Sequence, residues 1–95
     1  MEALKVKELR LMLKGGAVAS DLMIMPVVVE GKSKLWFELN FKLKGLEEEE
    51  EVVLITSLNE RQQWGSVNNL YQFIEENFPD ITTVELKIDR ALKPG

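Results

Sequence analysis

A chain of 95 residues has room for one hydrophobic core, and an apolar share of 45% with a charged share of 29% is that of an ordinary globular domain. It contains neither cysteine nor histidine, which removes disulfides, thiolate and imidazole metal sites, and the commonest general base at neutral pH. The net charge of −4 is unevenly divided: residues 1–46 carry eight Lys/Arg against five Asp/Glu, and residues 47–95 carry four against eleven, so a basic surface could meet an acidic partner.

Val6, Leu9 and Leu13 stand at helical spacing among Lys and Arg, and Gly15-Gly16 follows as a stop signal, so a first helix is expected here. Leu22 to Glu30, then Gly31-Lys32, then Ser33 to Lys44 read as a β-hairpin. In the second arm Leu35, Phe37, Leu39, Phe41 and Leu43 face one way, and Lys34, Trp36, Glu38, Asn40, Lys42 and Lys44 the other. Pro26 lacks an N–H, so the first arm should lie at an edge or carry a bulge there. Gly45-Leu46 and the run Glu47 to Glu51 are expected as an exposed, self-repelling connection.

Val52 to Leu58 supplies a third strand, and Asn59 to Gly65 a polar turn. Ser66 is placed to cap a second helix whose stripe is Val67, Leu70, Tyr71, Ile74 and Phe78, with Pro79 ending it. Ile81 to Asp89 alternates Val84, Leu86 and Ile88 inward as a fourth strand, and Ala91 to Gly95 is a fraying tail. The expectation is one domain over 1–95: a two-layer α+β fold in the order α-β-β-β-α-β, with two helices on a mostly antiparallel four-stranded sheet. The final strand, reached by a helical crossover, can pair in parallel.

This pattern offers no catalytic constellation. The glutamates are consecutive rather than spaced around a bond or an ion, and Gly15-Gly16 has neither phosphate-cradling spacing, so no enzyme activity, cofactor or metal site is expected. A pI near 4.9 argues against a dominant nucleic-acid footprint, leaving nucleic acid bound weakly or not at all. The longest apolar run, Leu22 to Val29, contains Pro26 and is far short of the roughly 20 residues that cross a bilayer, so no membrane association is expected. An amino terminus broken by Lys5, Lys7, Glu8 and Arg10 is unlike a signal peptide, and reducing cytoplasm is the expected compartment. The candidate contact residues are Lys34, Trp36, Lys42 and Lys44 on the outward face of the hairpin, and Trp64 ahead of the second helix; each has a purely structural alternative, a solvated face or packing against a helix. Open sheet edges favour a homodimer beside an unknown protein partner.

Leu4 to Arg10 followed by Gly16-Ala17-Val18, together with Trp64 to Ile74 and Ile81 to Asp89, resembles a family of short partition-associated (ParC-like) proteins of plasmids and integrating elements, unrelated to the topoisomerase. Lys7 stands where that family would place a serine cap. The resemblance implies an accessory role in maintaining mobile DNA, and brings no catalytic residue with it. An alternative from another class is an acidic, nucleic-acid-mimicking inhibitor of a host enzyme, which the acidic second half motivates.

Overall fold

Two helices form where their caps place them. In the computed structural model, which describes residues 1–45 and 47–93, α1 spans Val6–Lys14 and α2 spans Val67–Asn77. Glu8 accepts the Lys5 N–H at 2.9 Å, satisfying a donor at the start of α1. At its end Gly15, Gly16 and Ala17 donate back to Leu11, Leu13 and Met12, and Gly16 sits at φ 103°, where a Cβ is unfavourable. Ser66 Oγ accepts the Asn69 N–H at 3.1 Å to start α2, and Phe78 and Pro79 follow its last turn.

The sheet has five strands and is mixed. They are β1 (Glu2–Lys5), β2 (Val18–Val27), β3 (Trp36–Lys44), β4 (Glu49–Ile55) and β5 (Glu85–Leu86), arranged in the order β1-β4-β3-β2-β5. The middle strands pair antiparallel as a meander, while β1 runs parallel to β4 and β5 parallel to β2. This corrects the expected four-stranded, mostly antiparallel sheet: the extra strand is the short β1 before α1, and the order is β-α-β-β-β-α-β. Each helix now belongs to a crossover between parallel strands, from β1 to β2 and from β4 to β5. Both crossovers travel the same way across the sheet, so the right-handed preference puts both helices on one face. Leu9 of α1, Leu70 and Ile74 of α2, and Phe78 just after α2 accordingly share one core cluster with Leu4, Leu22, Ile24, Leu39, Phe41, Leu43, Val52 and Leu54. Phe78 meets Phe41 edge-on at 5.3 Å between ring centroids, which docks the end of α2 on β3.

Several expected details differ. Glu49 to Glu51 are not loop but the first residues of β4, because Lys44 and Lys42 lie directly across from Glu49 and Glu51 and offset the like charge. Leu46, assigned from sequence to the same connection, lies outside the described residues, as do Pro94 and Gly95 of the expected tail. The strand after the glutamates ends at Ile55, where Thr56 Oγ accepts the Leu58 and Glu60 amides and turns the chain. Of the two alternatives for Pro26 the edge holds, since β5 pairs only with Met23 and Ile24; the bulge in β2 falls between Ser20 and Met23, with Asp21 at φ 54°. Tyr71 leaves the expected stripe and is 54% exposed, while Phe73 packs towards the core against Trp64. Leu35 and Phe37 are half-buried rather than fully inward. The last strand is two residues long, and of its expected inward residues Val84 packs on the core whereas Leu86 and Ile88 are 48% and 75% exposed.

Candidate functional site

Because both helices cover one side, the other side of the sheet is open. Alternation sends Met23, Met25 and Val27 of β2, Trp36, Glu38, Asn40, Lys42 and Lys44 of β3, and Glu51, Val53 and Ile55 of β4 to this face. Register lines them up in rows: Met23 stands beside Asn40 and Asn40 beside Val53, while Met25 lies beside Glu38 and Val27 beside Trp36. The result is an apolar band, mostly half-buried, crossed by polar groups.

The polar groups are held in place. After the Thr56 turn the chain returns along the sheet, with Arg61 bridging to Ile55 and Trp64 exchanging both backbone bonds with Phe37 at 2.9 Å each. Alternation in that segment puts Arg61 and Gln63 on the open face and Trp64 on the helix side. Arg61 Nη2 reaches Glu38 Oε1 at 3.1 Å and Asn40 Oδ1 at 2.9 Å, and Gln63 Nε2 donates to Glu38 Oε2 at 2.9 Å. Both Glu38 carboxylate oxygens are thus engaged, and its side chain is only 14% exposed. Trp36 lies against Gly65, where a Cβ would meet its ring at 3.4 Å, and carries the Lys32 ammonium 5.1 Å above the ring centroid. Trp36 Nε1 and Arg61 Nε are buried and find no acceptor among the described residues.

At the other end of the face the β2 bulge re-aims Asp21, whose carboxylate meets Lys42 Nζ at 3.3 Å. Asp21, Met23, Asn40, Lys42 and Val53, with Met1, line a shallow depression of about 220 Å³.

Of the residues singled out from sequence, Trp36, Lys42 and Lys44 share the open face. Lys34 lies in the loop before β3 rather than on the strand, and Trp64 sits on the opposite side, 5.0 Å from Phe73. Sequence reasoning missed the organising pair Glu38 and Arg61, with Gln63. Periodicity carries no signal for Arg61 and Gln63, because Arg61-Gln62-Gln63 is uniformly polar and becomes strand-like only through the bridges to Ile55 and Phe37. Among the described residues no helix is long and apolar enough to cross a membrane, and no group of three or more acidic side chains is placed to hold a metal ion. No protein-family model, curated protein or solved structure matches this chain.

Proposed function

We propose that this chain is a non-catalytic accessory binding protein that holds a protein partner on the open face of its sheet, in the setting of a plasmid or other mobile element. The observation that carries the binding role is the helix-free face itself: an apolar band of Met23, Met25, Val27 and Val53 set among fixed, mutually bonded polar side chains. That composition, an apolar centre with satisfied polar groups around it, is the anatomy of a protein interface. The partner it suits presents aliphatic or aromatic side chains with charges of both signs. Phosphate is a poor match, since Arg61 is bound to Glu38, Lys42 to Asp21, and Lys44 lies across from Glu49. The mobile-element setting rests on the resemblance of the two terminal segments alone.

The test is the segregational stability of an element carrying the gene. Deletion should raise loss, the wild-type gene should restore retention, and a folded Met25→Lys variant should not. Retention with Met25→Lys would remove the open face from the proposal, and loss unchanged by deletion would remove the mobile-element role.

The acidic-mimic reading has one observation in its favour. Glu2, Glu47, Glu48 and Glu50, with Leu4, Met12, Leu43 and Val52, line a groove of about 430 Å³ that has no cationic residue among its described lining residues. Inhibition of a DNA-binding enzyme that is abolished by Gln at these four positions would favour it over the open-face reading.

A further inference from the structure

The two edges of the sheet are not equivalent. β1 buries Leu4 and ends in Lys5, whereas the shorter β5 leaves Leu86, and Ile88 just after it, 48% and 75% exposed beside an unpaired strand edge. Lys87 donates its amide to the Ile24 carbonyl at 2.9 Å, so the ladder with β2 uses the backbone of Glu85 and Lys87. Planar peptide units then turn the Val84 C=O, both backbone groups of Leu86 and the Ile88 N–H towards the open side.

We infer that β5 pairs with β5 of a second copy, antiparallel about a twofold axis that runs between the two Leu86 residues, normal to the sheet. The segment Val84-Glu85-Leu86-Lys87-Ile88 is self-complementary in that register. Leu86 meets its own symmetry mate, Val84 meets Ile88, and Glu85 meets Lys87, twice each. Antiparallel partners must point to the same face, which this register satisfies because each pair is separated by an even number of residues. The hydrogen-bonded positions it calls for are Val84, Leu86 and Ile88, the residues whose backbone groups face outward. The Glu85–Lys87 pairs then fall at non-hydrogen-bonded positions, where side chains approach most closely. No equivalent exists at β1: same-face registers of Glu2-Ala3-Leu4-Lys5 pair Glu2 with Leu4 or Ala3 with Lys5, and bring no opposite charges together.

Pairing across β5 joins two five-stranded sheets into one. A twofold normal to the sheet keeps both helix layers on one side and both open faces on the other. The dimer therefore presents two copies of the open face in one plane. This inference rests on the edge and not on the open-face proposal.

Charge reversal tests it by sedimentation equilibrium at micromolar concentration. The wild type should associate as a dimer, and Glu85→Lys or Lys87→Glu alone should weaken the dimer roughly tenfold or more by placing like charges opposite each other. The double variant Glu85→Lys/Lys87→Glu should return the dissociation constant to within roughly threefold of wild type. Both side chains are exposed, and circular dichroism should show every variant folded. In hydrogen exchange, protection of the Leu86 amide should rise with protein concentration. A monomeric wild type, a dimer indifferent to the single reversals, or a double variant that stays weak would each overturn the pairing. Trp36→Ala should leave dimerisation unchanged, so failure of the open-face reading remains distinguishable.

Discussion

Lys87 gives its amide to the Ile24 carbonyl at 2.9 Å, and Pro26, two residues further along β2, has no N–H with which to answer the Lys87 carbonyl. In a parallel ladder that answering bond is the next rung. Pro26 therefore stops β5, and it is tolerated inside the sheet because it sits where β2 has become an edge.

We predict that Pro26→Val extends the ladder. The new amide at position 26 should be protected from hydrogen exchange by the Lys87 carbonyl, with stability changed by no more than about 1 kcal/mol, since one hydrogen bond is gained and the unfolded chain is freed. Exchange at position 26 as fast as in a loop would mean that something other than the missing N–H ends β5.

The acidic run divides into two parts with different expected tolerance. Glu47 and Glu48 lie outside the strand and are exposed, so Gly or Ser at both should change stability by less than about 0.5 kcal/mol. Glu49 to Glu51 are in β4, opposite Lys44, Leu43 and Lys42. Replacing all three by Gly should cost about 1 to 3 kcal/mol through lost cross-strand pairs and strand entropy, read from urea melts. Equal tolerance of the two substitutions would show that the lysines do not hold the strand.

This division marks the boundary of what was legible from the chain. Helix limits were readable because their causes are local: the Gly15-Gly16 stop, the Ser66 cap and Pro79 act within a turn of the residues they control. The alternation of β3 was equally plain, and with it the outward placement of Trp36, Lys42 and Lys44. β1 was not, since Glu2-Ala3-Leu4-Lys5 suits a helix as well as a strand and becomes a strand only by pairing with Val52 to Ile55. The same holds for Glu49 to Glu51, which depend on lysines of another strand, and for β5, shortened by a proline in β2. Arg61 and Gln63 escaped notice because their segment is made strand-like by bridges to Ile55 and Phe37, distant partners that periodicity does not reveal.

Tyr71 offers a readout of the exposed side of α2. Glu75, one turn on, accepts from the Tyr71 phenol and adds a like charge against its ionisation, so the phenol is held above its ordinary value. A group raised on folding contributes stability that is present below its unfolded pKa and lost as pH rises through the folded one. For this exposed phenol the effect should be visible as titration rather than unfolding. Ultraviolet absorbance of wild type should show the Tyr71 phenolate appearing at higher pH than in Glu75→Gln. Identical titrations would remove the contact.

The shape of the open face depends on Glu38 and Arg61. Glu38 is largely buried, and Arg61 and Gln63 between them engage both of its oxygens. Arg61→Met removes the guanidinium from Glu38 and Asn40 together, leaving a carboxylate in a poorly solvated position with one neutral donor. It should cost about 1 to 3 kcal/mol in urea denaturation. Glu38→Leu leaves the Arg61 charge unpaired but more exposed, and should cost less. With both replaced, no charge is stranded and two apolar side chains extend the band already formed by Met25 and Ile55. The double variant should then be more stable than Arg61→Met alone, with a coupling of about 1 kcal/mol or more in the double-mutant cycle. Strictly additive losses would mean that the two side chains touch without supporting each other, and that Arg61 is held by Asn40 alone.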